Sequence, residues 1–257
     1  YHTTYDTEKT SNYDPELFKY SIKLYGSLGI MLDYMKILTP NFGEFFHFFE
    51  TDINENADGA NELLDAIDVV EDAISGLSDR LSAIDEDITD KEIADINLKI
   101  HQLFADVNQK LYTLNWWDEV IFSYQYRQDI VDNLTGAIGA LRKGKPTEAI
   151  EDYLVNIDNN VYVVDFDKAT VDYFVNQVLG PDARNAWATG YLTASMDCRQ
   201  IIDSLLSKAD NAGADFKPEI RVIKKELENQ KTYLGEAYVQ AARDVRSIAD
   251  LMNSICN

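Results

Sequence analysis

Apolar residues recur at helical spacing along most of this chain. Between positions 17 and 38 they fall at Leu17, Phe18, Leu24, Tyr25, Leu28, Met31, Leu32, Met35 and Leu38, which predicts one helix with a broad apolar stripe. Asp14-Pro15-Glu16 supplies its start: an N-cap carboxylate, proline at the first helical position and an acid in the first turn. Thr39-Pro40-Asn41 supplies its stop, because proline drives the residue before it out of the helical region. Residues 42–50 set Phe42, Phe45, Phe46, Phe48 and Phe49 around His47, predicting a short helix buried on more than one face.

The middle of the chain carries two matched seams. Leu63, Ile67, Val70, Ile74, Leu77, Leu81 and Ile84 alternate spacings of four and three, as does a coiled-coil-like helix. After an acidic turn, Thr89-Asp90-Lys91-Glu92 reads as a capping box, and the next helix carries Ile93, Ile96, Ile100, Leu103, Val107, Leu111 and Leu114. Two such seams joined by a short turn predict an antiparallel helical hairpin. Leaving one seam in water would cost on the order of 10 kcal/mol, so the hairpin must pack on the rest of the domain or on a second subunit.

Residues 115–143 read as a helix beginning near Trp116-Trp117-Asp118-Glu119, and Pro146 as the start of a short helix reaching about Leu154. Val161-Tyr162-Val163-Val164 makes residues 156–164 the best candidate for a short strand or irregular link. A helix is expected from Asp165 to Leu179, stopped by Gly180-Pro181, then one or two shorter helices over 182–209 and a loop at Asn211-Ala212-Gly213. Lys217-Pro218-Glu219 opens a long final helix with Ile220, Ile223, Leu227, Leu234, Tyr238, Ala241, Val245, Ile248 and Met252 turned inward. The expected fold class is therefore all-α: a helical bundle with a long antiparallel hairpin and a long C-terminal helix.

Composition narrows the partners. The net charge of −22 argues against nucleic acid, whose phosphates require clustered Lys and Arg, and against an anionic membrane surface. No apolar run is long enough to span a bilayer. Two cysteines, Cys198 and Cys256, form no disulfide framework and can pair only with each other.

Three patterns carry candidate chemistry. Asn54-x-Asn56-x-Asp58-Gly59, with Asp65 at the twelfth position, has the spacing of a calcium-binding EF-hand loop. It departs from that pattern in its first residue, in Asn61 at the eighth and in Asp at the last; the alternative is an Asx-rich turn capping the next helix. His47 and His101 have no second histidine at helical spacing, so neither forms a local metal pair. Trp116 and Trp117, with Tyr124 nearby, form an aromatic group fitted either to core packing or to a peptide or glycan platform.

The N-terminal stretch runs Tyr1-His2-Thr3-Thr4-Tyr5-Asp6-Thr7, then a polar loop, Asp14-Pro15, Phe18-Lys19-Tyr20 and Leu38-Thr39-Pro40. It resembles the junction between peptidase core and helical domain in the zinc aminopeptidase family that includes glutamate carboxypeptidase and the transferrin receptor. The resemblance implies that residues 1–13 are a remnant of the peptidase core and linker, and that 14–257 form the helical domain, known in the family as the dimerisation domain. It implies that His2 is a zinc ligand in the parent enzyme, and that Tyr1 lies near the zinc pair, where it can hydrogen-bond a reacting oxygen. The other ligands lie upstream of Tyr1 in the family, so the chain by itself should hold no cofactor and be inactive. The implied partners are the N-terminal peptidase core and a second copy, and the implied location is outside the cytoplasm. Relatives also lend the substrate pocket residues from a Gly/Pro-rich loop; residues 115–165 do not align with it, so no substrate residue is carried over. The competing reading is a free-standing acidic helical module that binds peptide or glycan through its aromatic group.

Overall fold

A computed structural model describes residues 14–37, 40–84, 87–112, 121–157, 160–170, 173, 196–211 and 213–255. Their architecture is a helical bundle: α1 (Pro15–Tyr34), α2 (Phe42–Thr51), α3 (Ala60–Ser82), α4 (Asp90–Leu111), α5 (Gln125–Arg142), α6 (Pro146–Glu151), α7 (Val161–Asp165), α8 (Arg199–Leu206) and α9 (Lys217–Ser254), with a 3-10 turn at Leu154–Asn156. The local signals act as their chemistry dictates. The Asp14 carboxylate accepts from the Glu16 and Leu17 amides, and Thr89 and Glu92 complete a reciprocal capping box.

The 38-residue α9 is the axis of the bundle, packing most extensively along α3 and then along α5 and α4. Its buried stripe includes Ile223, Leu227, Leu234, Tyr238, Ala241, Val245, Ile248 and Met252. The hairpin seams close onto this axis: Leu63, Ile67, Val70 and Leu77 of α3 and Ile100, Leu103, Val107 and Leu111 of α4 are buried. Cations of the hairpin also cap the far end of α9. Arg80 donates to the Met252 carbonyl at 3.1 Å, and Lys99 to the Ser254 and Ile255 carbonyls at 3.0 and 3.2 Å. Positive charge there complements the free carbonyls and the negative end of the helix dipole.

Two expectations are corrected. The helix assigned to 115–143 begins at Gln125; before it, Phe122 forms an isolated antiparallel bridge with Tyr112, and the Ser123 amide donates to the Leu111 carbonyl. Gln125 fixes this turn, because its side-chain oxygen accepts from both the Ile121 and Phe122 amides at 2.8 Å. Of the two readings of 156–164, short strand or irregular link, the strand gives way to the 3-10 turn and to α7: Val161–Asp165 is helical despite its β-branched residues. Farther on, the Asp167 carboxylate accepts from the Thr170 amide at 2.8 Å, as at a helix start. Most of the helix expected over 165–179, and residues 182–195, lie outside the described residues.

Helix α1 behaves unlike the rest. None of its residues is buried. Leu17, Phe18, Tyr20, Ile22, Leu24, Tyr25, Leu28, Ile30, Met31, Leu32 and Tyr34 are all exposed, from 43% at Leu24 to 81% at Tyr34. After α1 ends the chain is fastened to the bundle: Asn97 donates to the Lys36 carbonyl at 2.8 Å, Ile37 packs on the core and Phe42 is buried.

Candidate functional site

The residues singled out by sequence fall in different places. Tyr1, His2, Trp116, Trp117 and Cys256 lie outside the described residues. Tyr124 is a core residue with no exposed surface. Its hydroxyl donates to the Phe49 carbonyl, and its ring stands perpendicular to that of Phe49 at 5.2 Å and lies 5.3 Å from that of Tyr238. Burial pushes its phenol pKa up, with the nearby Tyr238 and Asp52 adding to the effect. A ring so enclosed has no free face for a peptide or sugar. The phenylalanines of α2 split accordingly: Phe42, Phe46 and Phe49 are buried, Phe45 packs edge-on against Phe46 and Phe122, and Phe48 is exposed.

The loop from Asp52 to Gly59 is held to α5 and α9 by hydrogen bonds, one of them from the Gln125 side chain to the Asp52 carboxylate at 2.7 Å. The Asn54 amide donates to the Tyr238 hydroxyl at 2.9 Å and to the Gln128 side-chain oxygen at 3.3 Å, and Gln128 in turn donates to the Asp52 carbonyl. The Asn54 side chain accepts from the Asn56 amide at 3.1 Å, an Asx turn. Gly59 caps α3 at φ +80°, where a Cβ would sit 2.7 Å from the Gly235 carbonyl oxygen. This close crossing of loop and α9 requires glycine on geometric grounds alone. Asp58 is exposed on the loop and Asp65 on α3. Among the described residues, no three His, Cys, Asp or Glu side chains are grouped to hold a metal ion. His47 and His101 are exposed on separate helices.

Two polar anchors escaped sequence reasoning. Buried Asn160 donates to the Ile157 and Met196 carbonyls at 2.6 and 2.7 Å and accepts from the Cys198 amide at 2.8 Å, tying Ile157 and Asn160 to Met196 and Cys198. Nothing in its local sequence marks it, since its partners are long-range backbone groups. Beside it, burial first and then the charges of Asp197 and Glu226 push the Cys198 thiol up to about 12, so it stays protonated and unreactive. Glu219, only 5% exposed, accepts from Ser204 at 2.5 Å and pairs with Lys208, joining α8 to the first turn of α9. Burial raises its pKa, but the hydrogen bonds from Lys208 and Ser204 outweigh that and hold the carboxyl below the usual glutamate range. Glu219 was visible in the sequence only as an acid in the first turn of a helix.

What the described residues offer a partner is surface rather than a catalytic constellation. The largest exposed apolar element is α1, and it follows directly on the stretch containing Tyr1 and His2. An apolar groove of about 410 Å³ lies near its foot, lined by Ile37, Phe42, Ile74, Leu77, Leu81 and Ile100 among others. No family model matches this chain, and no curated protein or solved structure was found to be similar to it.

Proposed function

We propose that this chain is the C-terminal helical domain of a zinc-dependent aminopeptidase-like protein. In that role it braces the peptidase core, supports pairing of two copies outside the cytoplasm and has no activity alone. The observation that carries the reading is the apolar helix α1, none of whose residues is buried and which begins eight positions after Thr7 of the stretch Tyr1-His2-Thr3-Thr4-Tyr5-Asp6-Thr7. Covering its exposed side chains would contribute on the order of 10 kcal/mol at the usual value per buried aliphatic residue. A monomeric soluble protein rarely leaves such a patch in water, and its presence marks an interaction surface.

Zinc requires three or four ligands in one place, and the described residues assemble no such set. In this reading His2 supplies one ligand and Tyr1 stands beside the site, while the rest belong to upstream residues. The metal's chemistry, activation of a water for peptide hydrolysis, then belongs to the parent protein. The test is metal analysis of the complete polypeptide that contains this chain, as wild type and as His2→Ala. Stoichiometric zinc that falls in the variant is the expected result. A polypeptide that binds no zinc, or whose zinc content ignores the substitution, contradicts the proposal.

A further inference from the structure

We infer that the outward face of α9 between Lys217 and Lys225 is a docking surface for an acidic helical segment of another protein. Carboxylates spaced three and four residues apart on that segment lie along Lys217, Arg221, Lys224 and Lys225. This surface is independent of the peptidase reading and stands or falls apart from it.

Residues 217–225 run Lys-Pro-Glu-Ile-Arg-Val-Ile-Lys-Lys: four cations and one acid, in a chain with 45 acids and only 23 Lys and Arg. At about 100° per residue the four cations fall within an arc of roughly 100°. That arc is turned away from the buried line of Glu219, Ile223, Leu227 and Gln230. All four are exposed. The one acid does not neutralise them, because Glu219 is buried and engaged by Ser204 and Lys208. On either side, Asp215 accepts from the Lys217 amide at 3.0 Å and Glu228 is paired with Lys231 at 3.2 Å. Among the described residues, none of the four cations has an ion pair.

Local electrostatics oppose this arrangement. Lys217 is the first residue of α9, at the positive end of the helix dipole. Arg221 stands four residues from both Lys217 and Lys225 and three from Lys224, spacings at which like charges on a helix repel. A chain so rich in acids thus breaks a local rule on one exposed face, with no compensation inside the molecule. Breaks of that kind belong to functional surfaces.

The geometry of the row selects its occupant. Lys217 to Lys225 spans about 12 Å, rising about 4.5–6 Å at each step of three or four residues. Cations in a row do not converge on a point, so a lone phosphate or sulfate meets only one or two of them. Carboxylates three and four residues apart on a helix repeat the same rise and match the row charge for charge. On an extended strand, side chains on one face recur about every 6.6 Å and fall out of step. Arg221, near the middle, can hold a carboxylate through two parallel N–H donors. With a screening length of about 8 Å, a short segment responds to the ridge, whereas a long polyanion such as nucleic acid also meets the surrounding acids. A second copy offers the exposed acids of α3, among them Glu62, Asp65, Asp68 and Asp72, but two chains of net charge −22 repel each other.

Fluorescence anisotropy tests this with the whole chain and a labelled alanine-based helical peptide carrying four glutamates at alternating three- and four-residue spacing. The chain is prepared as wild type, as Arg221→Ala/Lys224→Ala/Lys225→Ala and as Arg221→Lys. The control is Lys91→Ala/Arg142→Ala/Lys143→Ala, which removes the same charge from other exposed positions. At low salt the wild type should bind the peptide about 10-fold or more tightly than the ridge variant, and the control should stay within about 2-fold of wild type. Arg221→Lys, which keeps the charge and loses the paired donors, should weaken binding about 3-fold. Added salt should weaken the complex, and the glutamine counterpart of the peptide should not bind. Because the substituted side chains are exposed, the ridge variant should keep the wild-type thermal midpoint to within about 2 °C.

No binding by the wild type at low salt, or equal losses in the ridge variant and the control, overturns the inference. So does equal binding of an extended peptide with the same charge. Tighter ridge-dependent binding of a heparin oligosaccharide, of single-stranded DNA or of phosphatidylglycerol vesicles also overturns it, as does ridge-dependent self-association in sedimentation.

Discussion

Gly59 shows how little freedom single positions have in this molecule. Its φ of +80° is costly for any side chain, and a methyl group there would meet the Gly235 carbonyl of α9. Gly59→Ala should therefore destabilise the chain by about 2 kcal/mol or more, read as a lower urea midpoint with an unchanged slope. Cys198 makes the opposite point, because its chemistry is suppressed rather than used. With the thiol pushed up to about 12 and buried beneath the Asn160 hydrogen bonds, it should resist a thiol reagent at pH 8 in the native protein and react at once in denaturant. Native labelling as fast as unfolded labelling would show the site to be open.

Between elements, the ties are polar clamps at helix ends laid over an apolar core. The α8–α9 junction depends on Glu219, and the start of α4 on Glu92, whose carboxyl is lowered chiefly by its hydrogen bonds with Thr89. Both carboxyls sit below the ordinary glutamate value of about 4.3 in the folded state. Their contribution to stability is thus complete above that value and is lost as pH falls through the lower folded-state values. Stability measured from pH 6 downward should fall on this acid limb, and Glu219→Gln should make the fall shallower. A variant with an unchanged slope would mean that the Lys208 pairing has no effect in solution. At this scale much was legible in the sequence. The Thr89/Glu92 capping box, the start of α9 at Lys217-Pro218 and the inward stripe from Ile223 to Met252 all stand as read, because local spacing and cap chemistry determine them. The start of α5 and the helical turn of α7 were not legible: Gln125 and Asn160 impose them through bonds to backbone groups that periodicity does not reveal.

At the largest scale, the described residues divide into a bundle with a buried core and a helix with no buried residue. The seams of α3 and α4 close on α9, and aromatic rings of α2, Phe122, Tyr124 and Tyr238 fill the adjoining core. Sequence periodicity located α1 correctly, yet it could not say that none of its residues would be buried, since an apolar pattern reads the same whether or not it is covered. For the same reason the sequence left Tyr124 open between core packing and a binding platform, and the structure puts it in the core. A helix with no buried residue should open well before the bundle does. Limited proteolysis of this chain, read by mass spectrometry, is the test. Early cuts within residues 15–40, followed by a long-lived fragment beginning near Asn41, are the expected result; an α1 that resists cleavage for as long as α9 would contradict it.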